Sequence, residues 1–202
     1  MNASAGGTPK AELRPHFRAR RRRAMAAAQG PLLQAARSSL PPLIPAGRHL
    51  GLYWPVGSEP DLRDLQSLAA PAGGARLALP AVQPTAGDGR LELLYLPWSP
   101  GDQLEPDACR IPSPTASART PALQPQQLAL LLIPALAIDG RGIRLGSGGG
   151  WYDRLRADPA WRQVPAVAVL PACCVVPELP RDPWDIPLDG WLGETGLHWL
   201  GQ

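Results

Sequence analysis

The sequence predicts an α/β fold: a mostly parallel sheet flanked by helices in three layers, Rossmann-like in plan. Three observations carry this expectation. The strongest strand candidates, Leu128 to Ile138 and Pro165 to Leu170, are continuously apolar rather than alternating, as strands covered on both faces are. Strand-like and helix-like segments alternate along the chain, which favours parallel pairing through crossovers. The longest apolar run leads into a glycine-rich turn and then a helix start. Open α/β sheets bind ligands beyond the carboxyl ends of their strands, where such turns lie.

At 202 residues the chain suffices for one medium-sized domain, placed at 10–202, with residues 1–9, small and polar, as a disordered tail. From Pro9 a helix is expected, with Lys10, Glu12, Arg14 and the arginines from Arg18 to Arg23 on polar faces. Leu13, Phe17, Ala24 and Met25 form its buried stripe. Pro15 should kink this helix or delay its start, and Gly30-Pro31 should end it. A second helical segment then covers Leu32 to Arg37.

His49 to Trp54 reads as the first strand. It runs into Pro55-Val56-Gly57-Ser58-Glu59-Pro60, where Ser58 is placed to cap a helix over Asp61 to Ala70, with Pro60 near its first position. Ala75 to Ala81 and Leu91 to Leu96 are the next strands, and 99–120 is a long proline-rich connection. After the strand Leu128 to Ile138 come a helix over Asp153 to Trp161 and the strand Pro165 to Leu170. A short last strand covers Leu188 to Leu192, and His198-Trp199-Leu200 closes the chain.

Composition narrows the function classes. The net charge is +3, and much of it comes from Arg14 to Arg23, so global charge does not argue for nucleic acid. A nucleic-acid module led by Arg18 to Arg23 competes, but the cluster is short and has no interleaved aromatics. Cys109, Cys173 and Cys174 make no disulfide framework, and no spacing suits zinc, so a reducing, cytoplasmic setting is expected. No signal peptide is visible, and no apolar stretch reaches the roughly 18 residues of a membrane span.

The segment from Ile138 to Asp153 concentrates the chemistry. Six glycines fall between Gly140 and Gly150, flanked by the apolar strand and by Trp151-Tyr152-Asp153. Glycine lets a ligand approach the main chain closely, and successive free N–H groups form an anion-binding concavity. Arg141 and Arg144 add cationic side chains, so a phosphate-binding loop is expected here. It fits neither standard nucleotide motif. No lysine follows the glycines as a Walker loop requires, and G-x-G-x-x-G fails at Leu145 from Gly140 and at Trp151 from Gly146. A sugar-phosphate isomerase or acyl-transfer enzyme on a related scaffold also stays open, with Glu59 the only evident general base.

Four blocks taken in order resemble the 5-formyltetrahydrofolate cyclo-ligase (5,10-methenyltetrahydrofolate synthetase) family. They are Lys10 to Arg14 with its basic helix, Tyr53 to Asp61, Leu132 to Asp153, and Trp184 to Asp189; the likeness spans about 10–195. It implies ATP- and Mg²⁺-dependent closure of 5-formyltetrahydrofolate to 5,10-methenyltetrahydrofolate, releasing ADP and phosphate through a phosphorylated formyl group. It implies ATP binding by Lys10, Arg14, Arg144, Gly146, Ser147, Gly148, Gly149, Gly150, Trp151 and Tyr152, with Arg144 and Tyr152 catalytic. Tyr53, Pro55, Val56, Glu59, Trp151 and Tyr152 would contact folate, and Asp153 and Asp189 would hold Mg²⁺. The partners are then folate and ATP, with no nucleic acid or membrane, and the chain is expected to be a monomer. Compared with the family, Ser147 and Gly149 stand where some members carry Arg and Lys, Trp151 where Tyr or Phe is usual, and Trp184 where His is common.

Overall fold

The computed structural model describes residues 9–65, 76–85, 88–117 and 120–201. Its centre is a seven-stranded sheet built from β1 (His49–Gly51), β2 (Arg76–Pro84), β3 (Leu91–Trp98), β6 (Leu128–Pro134), β9 (Ala166–Val169), β11 (Gly190–Gly193) and β12 (Gly196–Trp199). The strand order is β12-β11-β9-β6-β1-β2-β3. From β11 to β2 every pairing is parallel, and β12 and β3 close the edges antiparallel. The α/β expectation holds.

Side-chain alternation explains why the central strands read as unbroken apolar runs. Leu130, Leu132, Val167 and Val169 point into one core, which also holds Leu32, Ala36 and Leu40 of helix α1 (Lys10–Ser39) and its C-cap. Leu131, Ile133, Ala166 and Ala168 point into the other core. There they meet Tyr152, Leu155 and Trp161 of helices α2 (Trp151–Ala157) and α3 (Pro159–Arg162). Helix, sheet and helix pair make three layers.

Helix α1 departs from its expected bounds. It runs unbroken for 30 residues through Pro15 and Pro31. An interior proline costs about 3 kcal/mol. Beyond Pro31, however, Leu32, Ala36 and Leu40 are wholly buried, at about 2 kcal/mol for each leucine, and this packing outweighs the local preference.

The run Leu128 to Ile138 is not one strand. It breaks at Ala135-Leu136, and β7 (Ala137–Asp139) leaves the main sheet to join β8 (Arg144–Leu145) and β10 (Val175–Val176) in a three-stranded sheet. Pro134 has no N–H to extend the ladder, and two arginine side chains take the carbonyls of Pro134 and Ala135. The helix expected over Asp153 to Trp161 starts earlier and is cut at Asp158. That residue is held extended before Pro159 and caps α3 by accepting from Ala160 N–H at 2.8 Å.

The loop after β1 also differs. The strand stops at Gly51, and Ser58 caps no helix: its hydroxyl accepts from Arg21 at 3.2 Å. Pro60 lies outside any helix or strand, its carbonyl accepting from the Tyr53 hydroxyl at 2.6 Å. Of the helix expected over Asp61 to Ala70, only a short turn at 63–65 falls among the described residues, and 66–70 lie outside them. Ala75, the first residue of the second expected strand, and residues 1–8 of the expected tail also lie outside. The 99–120 connection carries a short ladder of β4 (Glu105–Pro106) with β5 (Pro112–Ser113). The last expected strand is shifted to Gly190–Gly193 and is followed by the antiparallel β12. No described helix is long and apolar enough to cross a membrane.

Candidate active site

Strand β1 lies between β2 and β6, so the chain reverses its direction of travel across the sheet there. Segments leaving the carboxyl ends of β1 and β6 diverge at such a point and leave a crevice. A cleft of about 470 Å³ opens at that place. Its walls are the start of α1, the loop 53–59, the turn 144–150 and the start of α2, with Asp182, Trp184 and Asp185 at one rim.

Each wall follows from local chemistry. Beneath the glycine turn, Phe17, Leu136, Ala137, Ile143, Leu145 and Leu179 form a small core of their own. Asp139, with no exposed surface, organises the approach. Its carboxylate accepts from the amides of Arg141 and Ile143 at 2.9 Å and of Leu179 at 3.0 Å, and from Arg141 Nη2 at 2.9 Å. Burial alone would raise its pKa, but these donors outweigh burial and hold it below the ordinary carboxylate range. Because the folded pKa is depressed, the stabilisation is present above the unfolded pKa and is lost as pH falls through the folded value. Asp139→Ala is expected to cost about 3 kcal/mol at neutral pH, since it orphans three amides. Urea unfolding should show the gap to the unsubstituted chain shrinking below about pH 4.

Arg144 leaves β8 with its side chain only 7% exposed. Its Nη2 donates to Asp153 at 3.0 Å, its Nη1 to the Pro134 carbonyl at 3.4 Å, and its guanidinium lies 5.5 Å from the Tyr152 ring centre. Arg14 reaches from α1 to the Gly146 carbonyl at 3.1 Å, tying helix to glycine turn. Lys10 lies at the rim, paired with Asp182 at 3.1 Å and in hydrogen-bond contact with Asp185. Gly150 sits in the left-handed region at the N-cap of α2, and Arg154 covers the Trp151 ring at 4.2 Å.

The opposite wall is acidic and aromatic. Glu59 is nearly buried and accepts from the Val56 amide at 3.0 Å. Burial pushes its carboxyl up, against the Val56 amide and the Arg21 and Arg144 guanidiniums that pull it down. Burial, and then Glu59, pushes the Tyr152 phenol up and holds the Tyr53 phenol well above its usual range.

The structure therefore brings Lys10, Arg14, Tyr53, Val56, Glu59, Arg144, Gly146, Ser147, Gly148, Gly149, Gly150, Trp151, Tyr152 and Asp153 to one cleft. It does not bring Pro55 or Asp189 to its lining. Asp189 accepts from the Ala166 amide at 2.7 Å and pairs with Arg156 at 3.5 Å. Ala166 begins β9 and Asp189 precedes the parallel β11, so both lie at the amino end of the sheet, away from the cleft. Asp185, four residues earlier, is the acid of that block that reaches the cleft. Sequence reasoning also missed Arg21, which is buried beneath the loop 53–59. The signal existed: Phe17, Arg21, Ala28, Leu32 and Ala36 are one buried stripe of α1, so Arg21 occupies a core-facing position.

Fold and cleft together define an α/β protein with a cleft at the switch point of a parallel sheet, lined by arginines, a run of glycines, acids and aromatic side chains. The chain belongs to the 5-formyltetrahydrofolate cyclo-ligase family, whose profile matches residues 7–193. It is 33% identical over 181 residues to the 5-formyltetrahydrofolate cyclo-ligase of Mycolicibacterium smegmatis, covering 89% of this chain and 90% of that one. The match to the Escherichia coli enzyme is 35% over 116 residues, 57% of this chain, and spans 61% of that enzyme's length. Among solved structures, the Aquifex aeolicus 5,10-methenyltetrahydrofolate synthetase superposes with a TM-score of 0.67 at 25% identity, covering 96% of this chain and 93% of that one.

Proposed function

We propose that this chain closes 5-formyltetrahydrofolate to 5,10-methenyltetrahydrofolate with consumption of ATP. The observation that carries the reading is the two-sided cleft. One wall offers main-chain amides with Arg14 and Arg144, which suit phosphates. The other offers Glu59 beside Tyr53 and Tyr152, which suits the flat, amidine-edged pterin, and Trp151 adds an aromatic face from the glycine-turn side.

The formyl oxygen on N5 is a poor leaving group. Transfer of the γ-phosphoryl group of ATP to it makes it a phosphate ester and releases ADP. N10 then attacks the formyl carbon: the N10–C bond forms, the C–O bond breaks, phosphate departs and N10 loses its proton to solvent. No side chain need form a covalent bond. The protein's part is alignment of two substrates and neutralisation of charge on the transferring group. Arg144 and the 146–150 amides take that second role, Arg14 ties the turn to α1, and Lys10 stands where incoming phosphates compete with Asp182 and Asp185. Tyr152 packs at the junction of the two substrates, and Tyr53 sets the loop beneath the pterin through its bond to Pro60.

The donor set fits Mg²⁺ in the way that ion is usually held, by one or two carboxylates with phosphate oxygens and waters. Among the described residues no group of three or more His, Cys, Asp or Glu is poised for a metal, and Asp153 is the acid that lies beside Arg144. Asp153 would hold the ion, which when bound neutralises phosphate charge. The test is the methenyl chromophore in a mixture of chain, 5-formyltetrahydrofolate, ATP and Mg²⁺. Absorbance is expected to grow only in the full mixture, and growth without ATP, or none at all, overturns the reading.

A further inference from the structure

We propose that Arg21 is a positioning residue for the folate side of the cleft, acting through Ser58 and Glu59 to hold the loop after β1 in register with the end of β6. The proposal rests on the function above. Its ground is geometry. The Arg21 side chain is 4% exposed, deep in the body of the protein. Its Nε donates to Ser58 Oγ at 3.2 Å, its Nη1 donates to the Ala135 carbonyl at 3.0 Å, and the same Nη1 lies 3.8 Å from Glu59 Oε1. One guanidinium thus joins three segments that meet at the switch point: α1, the loop 53–59 and the β6–β7 break.

An arginine is needed there for reasons that plain packing does not supply. Burying a cation is costly unless its donors are used, and arginine cannot discard its charge. Leucine at this position would fill the space within the apolar stripe but would orphan the Ala135 carbonyl. The contact with Glu59 is also long for a hydrogen bond. The carboxylate feels the charge without being consumed by it, and stays able to accept from a ligand. Arg144 does the same on the neighbouring residue, with its Nη1 on the Pro134 carbonyl and its Nη2 on Asp153. Two arginines from different elements therefore hold consecutive carbonyls at the end of β6, and each faces one acid of the cleft.

The groups around Glu59 are Arg21 from α1, Arg144 from β8, Tyr53 after β1 and Tyr152 from α2. Arg18 on the same helix and Cys174 after β9 face Arg21 itself. Burial pushes the Glu59 carboxyl up, and of its charged neighbours Arg21 and Arg144 are the cations that pull it back towards the ionised form. Removing Arg21 raises the carboxyl further, so the ionised form is lost at a higher pH.

The experiment compares the unsubstituted chain with Arg21→Met, Arg21→Lys and Ser58→Ala. Initial rates are measured against each substrate and across pH. For Arg21→Met, KM for 5-formyltetrahydrofolate is expected to rise about 10-fold, with KM for ATP changed less than about 2-fold. The acid limb of kcat/KM for the folate should move to higher pH. Arg21→Lys should return the limb towards its original position without restoring KM fully, because the charge returns but the fork does not. Ser58→Ala should raise the folate KM by about 3-fold and leave the limb in place. A purely structural role would lower kcat with the active fraction and leave both KM values and the limb unmoved, and that result overturns the proposal. Should Arg21→Met not fold, Arg21→Lys and Ser58→Ala decide by the same split. An unsubstituted chain without ATP-dependent turnover overturns the functional reading and this proposal with it. Turnover in that chain with unsplit variants overturns the proposal alone.

Discussion

Arg144→Ala is expected to lower kcat by about 10²–10³-fold, the usual loss when one preorganised donor to developing charge is removed. The side chain is fixed by three neighbours: Asp153 at 3.0 Å, the Pro134 carbonyl at 3.4 Å and the Tyr152 ring at 5.5 Å. A guanidinium held in this way need not reorganise when charge builds on a phosphoryl group beside it. Alanine removes that charge from beside the phosphoryl group and frees Asp153 from the bond that orients its carboxylate. Arg144→Lys keeps the charge but cannot bond Asp153 and the carbonyl together from one plane, and an intermediate loss is expected. Single-turnover rates with saturating ATP check this, with nucleotide affinity measured separately by calorimetry. Turnover within about 3-fold of the unsubstituted chain would falsify a role for Arg144 in the transition state.

Much of the cleft's lining was legible in the sequence, and the misses have physical causes. The glycine turn stood out because six residues without a Cβ follow an apolar run and precede a helix start, and residues 146–150 of it line the cleft. The paired cores on the sheet's two faces were legible for a similar reason, since only two-sided burial makes Leu128 to Ile133 apolar throughout. Arg21 was hidden by its neighbours. Set among Arg18, Arg20, Arg22 and Arg23 it reads as part of a solvated face, and only the i, i+4 spacing from Phe17 marks it as inward. Asp189 was misplaced through strand direction. An acid just before a strand of a parallel sheet sits at the amino end, whereas the cleft lies at the carboxyl end. The irregular segment 177–189 gave no periodicity by which to prefer Asp185. The long helix was misjudged at Pro31 because local preference was set against packing that only the fold supplies.

Gly142→Val should be the most destabilising change near the site, costing on the order of 5 kcal/mol. Gly142 has a φ of +80°, a region that β-branched residues scarcely enter. A Cβ there would also run into the backbone of Leu188, whose carbonyl oxygen lies directly in its path. That neighbour cannot step aside, because the Leu188 amide donates to the Gly142 carbonyl at 2.9 Å and its side chain is buried in the second core. The same contact fixes the chain that presents Asp185 to Lys10, so displacement would reach the cleft rim as well as the core. A domain of this size has roughly 5–15 kcal/mol in hand, so the variant is expected to lose most of its folded population on mild heating. Gly140→Ala is the matched control. A Cβ at Gly140 meets nothing within 4 Å and its φ is not positive, so its midpoint in urea should stay within about 0.5 kcal/mol of the unsubstituted chain. Equal losses in the two variants would mean that glycine is needed throughout this turn for flexibility, and that the close approach of residues 142 and 188 is not what holds the cleft in shape.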